Sequence, residues 1–163
     1  MTKAVLNSSA LIALSATGHI NKLQSIFDEL IVASAVYEEI CVKGHGLLGE
    51  AELTLAKENG TVKIKRVTNR VTVNALLDPL GQGEAETITL AIEEETDYVV
   101  LDDHLARRKA RALGLNVIGT LRVLRMMLDS GLVSKEELAA SLETLVQIGF
   151  RISTDVIEKV FKL

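Results

Sequence analysis

Four short, mostly apolar runs, at residues 4–6, 30–33, 98–101 and 116–118, constrain this chain more than any other feature of it. Each is too short for a buried helix, and each is followed by a segment whose apolar residues recur at helical spacing. Strands that are apolar throughout, without alternation, are buried on both faces. Alternating with helices, they belong in a parallel sheet with helices on either side, a three-layer α/β/α sandwich. Residues 62–67 alternate apolar and polar side chains and read as a half-exposed edge strand.

The helices have start and stop signals. Asn7-Ser8-Ser9 caps a helix reaching about Thr17, and Ile20, Leu23, Ile26 and Phe27 share one face of a second. Ser34 caps a third. Residues 47–59 form an amphipathic helix stopped by Gly60, and residues 71–77 a short one closed by Asp78-Pro79. Further helices are expected at 83–94, 104–113, 121–129, 134–147, with Ser134 capping over Glu137, and 154–163. No linker or repeat divides the chain. Residues 1–163 therefore read as one domain, with the helices beyond about residue 120 packing on it or in a dimer.

Composition removes several classes of function. A net charge of −4 excludes a surface coated in basic residues, though not a local basic patch. Aromatic residues are 3% of the chain and Trp is absent, so stacking platforms for bases are scarce. The single cysteine, Cys41, has no partner for an internal disulfide; between Ile40 and Val42 it reads as a small buried residue, in a reducing, cytoplasmic setting. No apolar stretch approaches the roughly 20 residues that span a bilayer, and no secretory pattern is present, so no membrane partner is expected.

The chemistry lies in acids at element ends. In the Ser34 helix, Val36 and Ile40 set the buried direction. Glu39 falls about 60° from Val36, while Glu38 points about 160° away, toward solvent. In the helix from Gly83, Ala85, Ile88 and Ile92 set the buried stripe, with Glu84 at its edge and Glu86 diverging more. Asp102 and Asp103 follow the third buried run; one of them can cap the next helix, which leaves the other free. Asp102, nearest the strand end, is the preferred ligand, and Asp103 is a cap or second ligand. Each acid also has a purely structural role open to it, Glu84 as a favourable first-turn charge. Together they suit a hard cation such as Mg2+ or Mn2+, which takes oxygen ligands and bridges to phosphates.

From His104 to Leu128 there are six Lys or Arg and no acid. Arg107, Arg108 and Arg111 lie opposite Ala106, Ala110 and Leu113, and Arg122 and Arg125 follow on the next helix. That concentration points to a phosphate-backbone partner, against the alternative of a solvated helix face. Gly81-Gln82-Gly83 lacks the third glycine of a dinucleotide loop and follows no strand. His45 and His104 have no Cys or His companions of the kind zinc requires. No Gly-x-Ser-x-Gly elbow is present.

These positions resemble a PIN domain, the metal-dependent nuclease fold of VapC-type toxins. The resemblance spans most of the chain. It is carried in order by Asn7-Ser8-Ser9, Val36-Tyr37-Glu38-Glu39, Gly83-Glu84-Ala85-Glu86, Leu101-Asp102-Asp103, Ala106-Arg107 and Gly119-Thr120. It implies a single-strand-specific endoribonuclease using Mg2+ or Mn2+. Glu39, Glu84 and Asp102 carry over as ligands, and Ser9 and Thr120 as polar neighbours of a ligand or phosphate. It further implies RNA as substrate, a small antitoxin protein as partner, and a homodimer. The family's first acid, at the end of the first strand, is Asn7 here. An amide oxygen ligates without negative charge, so weaker cation binding and slower turnover are expected. Two alternatives stand beside the ribonuclease. One is a catalytically silent module of the same fold that holds RNA or protein. The other is a different α/β phosphoryl-transfer protein, for which the first strand lacks a nucleophile motif.

Overall fold

A computed structural model describes residues 1–162. Five strands form one sheet: β1 (Lys3–Leu6), β2 (Glu29–Ala33), β3 (Lys63–Lys65), β4 (Tyr98–Val100) and β5 (Val117–Ile118). Their order is β3-β2-β1-β4-β5, with every pairing parallel. Leu6 pairs with Val100, so β1 and β4 end side by side, and the Asn7 N–H continues the ladder to the Val100 carbonyl at 3.1 Å. β1 has β2 on one side and β4 on the other. The strand order therefore reverses between β1 and β4, where open parallel sheets place their ligand crevice.

Nine α-helices surround the sheet among the described residues: α1 (Ser8–Ala16), α2 (Ser34–Tyr37), α3 (Glu50–Glu58), α4 (Arg70–Leu76), α5 (Gln82–Glu93), α6 (His104–Ala112), α7 (Thr120–Asp129), α8 (Lys135–Gln147) and α9 (Thr154–Phe161). The architecture is the α/β sandwich that the apolar runs predict. α5 packs against β1, β2, β4, α2 and α4, while α1 packs against α7 and α8. Val5, Leu6, Leu11, Leu14, Ile31, Ile88, Leu101 and Leu124 are fully buried. Each such side chain contributes about 1.5–3 kcal/mol relative to an exposed one. Among the described residues, no helix is long and apolar enough to cross a membrane.

Local chemistry moves several boundaries. The expected helix at 20–27 is a single 3-10 segment, Ile20–Ser25. Asp28 accepts from the Thr2 N–H at 2.6 Å, and this draws the chain into β2 at once. α3 starts at Glu50, not near residue 47, because Gly49 holds a left-handed φ of 98° that interrupts the approach. Ser34 is not a cap; it is the first residue of α2, and its hydroxyl donates to Glu86 instead. The chain then passes into a π-helical turn, Glu38–Val42. Cys41 is half-buried, with Sγ beside Thr54 Oγ1 at 3.7 Å. The caps at Asp103 and Ser134 form as expected. Leu113 does not join the buried side of α6, being 48% exposed. Of the final helix, Leu163 lies outside the described residues.

The stripe read for α5 is too narrow. Eight of its twelve residues are buried, Glu86 among them, and Ile92 is 41% exposed. This helix runs through the centre of one layer and is covered on nearly all sides. Of its buried threonines, Thr89 is satisfied locally, its hydroxyl donating to the Ala85 carbonyl at 2.8 Å, while Thr87 Oγ1 has no partner.

Candidate active site

At the carboxyl ends of β1 and β4 a cleft of about 550 Å3 opens, lined by Asn7, Ser8, Ser9, Glu39, Gly81, Gly83, Glu84, Asp102, Asp103 and the segment Gly149-Phe150-Arg151. The site residues come from four separate places in the chain, Asp102 and Asp103 sharing one of them. Asn7 occupies the N-cap position of α1, but its side chain makes no capping bond, and its Oδ1 is buried without a hydrogen-bond partner. Glu39 projects from the π-helical turn, half-buried, while Glu38 is exposed. Glu84 sits in the first turn of α5. Asp102 and Asp103 form the turn from β4 into α6.

The acids sort into two groups. Asp102 is held on both oxygens: Oδ1 accepts from the Thr120 N–H at 2.8 Å, and Oδ2 from the Thr120 hydroxyl at 2.6 Å and the Ser9 hydroxyl at 3.1 Å. Ser9 and Thr120 thus fix one carboxylate between α1 and α7. Glu39, Glu84 and Asp103 make up the second group. Glu39 Oε2 accepts from the Ser8 hydroxyl at 2.5 Å. Asp103 Oδ2 caps α6 by accepting from the Ala106 N–H at 3.0 Å. Glu84 Oε2 is buried and has no hydrogen-bond donor. Burial first, and then repulsion from Asp103 and Glu39, lift the Glu84 carboxyl above its ordinary range, against a lowering by the Gly81 N–H.

Glycines make room for this group. A Cβ on Gly83 would land in the Glu39 carboxylate, and a Cβ on Gly119 would meet the Arg107 guanidinium at 2.7 Å and Asp102 Oδ1 at 3.0 Å. Both bring backbone against the acids more closely than any other residue permits. Arg107 is half-buried; its Nη1 donates to the Leu101 carbonyl at 2.8 Å and braces the turn that bears the aspartates. Burial, then Arg111 nearby, lower its pKa, and Asp102 opposes this. Arg108 and Arg111 are exposed on α6 and do not line the cleft.

Two residues not read as site residues from the sequence shape the site. Arg151 stands at the cleft mouth, in a loop after α8 that no strand announces. Glu86 is 4% exposed, although helical phase turned it away from the core. Its Oε1 accepts from Ala35 N–H at 3.2 Å and the Ser34 hydroxyl at 3.3 Å, and its Oε2 from Gln82 Nε2 at 2.9 Å and Arg70 Nη1 at 3.1 Å. Burial raises its pKa, but the bonds from Gln82, Arg70 and Ala35 outweigh that and hold it below the ordinary carboxylate range. This knot ties α2, which leads to Glu39, to α5, which bears Glu84.

Among the described residues, no three His, Cys, Asp or Glu stand close enough together to hold a metal ion by themselves. The donor chemistry nonetheless fits a hard cation. Two buried oxygens, on Asn7 and Glu84, lack partners, and two further carboxylates adjoin them; all are oxygen donors of the type Mg2+ and Mn2+ prefer.

A family model described as a PIN domain matches residues 3–163. Among solved structures, a PilT N-terminus domain protein from the hyperthermophilic archaeon Sulfolobus solfataricus P2 is similar at 19% identity, over 87% of this chain and 95% of that one, with a TM-score of 0.48. No curated protein matches the chain.

Proposed function

From the premise that this chain belongs to the PIN-domain family, we propose that it is a Mg2+- or Mn2+-dependent hydrolase of single-stranded RNA. PIN domains are commonly nucleases. The observation that carries the reading is the buried, donorless Glu84 Oε2 beside two other carboxylates. A fold gathers uncompensated negative charge only where something positive is to be bound.

In this reading Glu39, Glu84 and Asp103 hold the cation, with Asn7 Oδ1 as a neutral fourth donor. Asp102, clamped by Ser9 and Thr120, reaches the same cleft with its remaining lone pairs. When bound, the cation supplies charge that offsets the negative charge growing on a phosphodiester attacked by water. The Ser8 and Ser9 hydroxyls orient Glu39 and Asp102. Arg107 keeps the turn that bears the aspartates in place, and Arg151 attracts phosphate to the cleft mouth.

Asn7 favours a second reading, a module that binds RNA but does not cut it, since the first donor carries no charge. The two part on one experiment. With Mn2+, the chain is expected to cleave a labelled single-stranded RNA pool, Asn7→Asp to cleave about tenfold faster as ligand charge rises, and Glu84→Gln to be inactive. No cleavage by the chain or by Asn7→Asp sinks the hydrolase reading. An interface with an antitoxin-like protein or with a second copy of this chain is supported by the exposed Val42, Leu47, Leu48 and Leu55 on and around α3. Light scattering of the purified chain tests the dimer.

A further inference from the structure

A second concavity, of about 400 Å3, lies between α7 and α9 and is lined by Leu121, Arg122, Arg125, Val156, Lys159 and Lys162. Four of these six are cations and none is an acid, in a chain whose net charge is −4. α9 has acids of its own, Asp155 and Glu158. Val156 and Lys159 lie three residues apart on its groove face, and the acids fall outside the lining. Arg125 pins the groove together: its Nε donates to Asp129 Oδ1 at 2.8 Å and its Nη1 to the Lys162 carbonyl at 3.0 Å. Asp129 offsets that one guanidinium. Arg122, Lys159 and Lys162 are exposed.

The elements that wall the groove lead directly from residues at the carboxylate cleft. α7 begins at Thr120, the residue that grips Asp102, and Leu121 and Arg122 follow it directly into the groove. Gly149-Phe150-Arg151 lines the cleft and leads within a few residues into α9, the groove's other wall. The chain thus joins the two at both walls, with Arg151 on the cleft and Arg122, Arg125, Lys159 and Lys162 on the groove. We propose that this groove binds the phosphate backbone of an RNA strand whose scissile phosphodiester lies in the cleft; the proposal rests on the hydrolase reading above. Phosphates match this lining because guanidinium and ammonium groups recognise them without regard to base. With so few aromatic residues in the chain, backbone contacts and not base stacking hold the strand. The half of the basic stretch that meets RNA is then α7, joined by α9, and not the exposed face of α6.

The test is fluorescence anisotropy of a labelled twelve-nucleotide uridine RNA with the full chain, in EDTA so that no cleavage occurs, across a salt series. The parent is compared with Arg122→Gln/Lys159→Gln/Lys162→Gln and with a charge-matched control, Lys43→Gln/Lys57→Gln/Lys135→Gln. Each phosphate contact on a single strand contributes about 0.7 to the slope of log affinity against log salt. The groove variant is expected to lose about 2 from that slope and at least about tenfold in affinity near 0.1 M salt, with the control close to the parent. A groove variant that binds like the parent, or one matched by the control, overturns the proposal, as does a parent that binds no RNA. Groove-dependent binding by a chain that never cleaves with Mn2+ upholds the groove and overturns the hydrolase reading instead.

Discussion

Glu84 and Glu86 stand two residues apart on α5, and their surroundings are opposite. Glu86 is enclosed and receives four hydrogen bonds from Ala35, Ser34, Gln82 and Arg70. Glu84 faces the cleft with one oxygen buried and donorless, among other acids. The first holds its proton less tightly than an ordinary carboxyl, the second more tightly. A structural carboxylate and a functional one differ here in how completely the fold has satisfied them. Satisfaction leaves Glu86 nothing further to bind, and its absence gives Glu84 a reason to take a cation.

The contrast breaks most visibly in activity. Glu84→Gln is expected to lower Mn2+-dependent RNA cleavage by about 100-fold or more, the several kcal/mol of charge stabilisation a metal supplies, without loss of fold by circular dichroism. Stability should run the other way. Glu86→Ala leaves the Ala35 N–H and the Arg70 guanidinium without their partner and costs about 3 kcal/mol, a fall in Tm of about 10 °C for a chain of this size. Arg70→Ala costs no more than about 1 kcal/mol, since its side chain is 54% exposed and water screens the pair. If Glu84→Gln unfolds the chain while Glu86→Ala leaves Tm unchanged, the two assignments are reversed.

The pH dependence sharpens the same comparison with opposite signs. Glu86 has a folded pKa below its unfolded value, so its stabilisation is present above about pH 4.3 and is lost as pH falls below that. Glu84 has a folded pKa above its unfolded value, so in EDTA its ionisation weakens the fold as pH rises from about 4.3. Thermal melts in EDTA should therefore show Glu86→Gln losing ground to the parent as pH rises through this range, and Glu84→Gln gaining. Two variants with the same pH slope contradict the distinction. The smallest expected effect on stability is that of Gly83→Ala. Its new methyl meets only the movable end of Glu39, and helix propensity gains back about 0.5–1 kcal/mol. Tm should stay nearly level while Mn2+ affinity falls, because Glu39 is pushed aside.

The buried strands were legible because burial on both faces leaves an uninterrupted apolar run; their order in the sheet, which sets the switch between β1 and β4, comes from the structure. Glu39, Glu84, Asp102 and Asp103 were legible from helical phase and strand ends, Asn7 only through the family resemblance, and all five line one cleft. Glu86 was not, because helical phase assumes one buried stripe, and α5 is buried on nearly every side. Its partner Arg70 lies sixteen residues upstream, beyond any local pattern. Arg151 was hidden for a related reason: its loop reaches the cleft only through the packing of α7 and α8 on α1. On α6, Arg107 braces the turn that bears the aspartates, and Arg108 and Arg111 lie outside the cleft lining. The cations of α6 are regularly spaced, but regular spacing says which residues share a face and not what that face meets.

Calorimetric titration of the metal-free chain with Mn2+, beside Glu84→Gln, bears most directly on the unsatisfied cleft. The parent is expected to take up Mn2+ saturably and Glu84→Gln to take up none. A parent that binds no Mn2+, or a Glu84→Gln variant that binds it as tightly, contradicts the claim that this carboxylate is waiting for a cation.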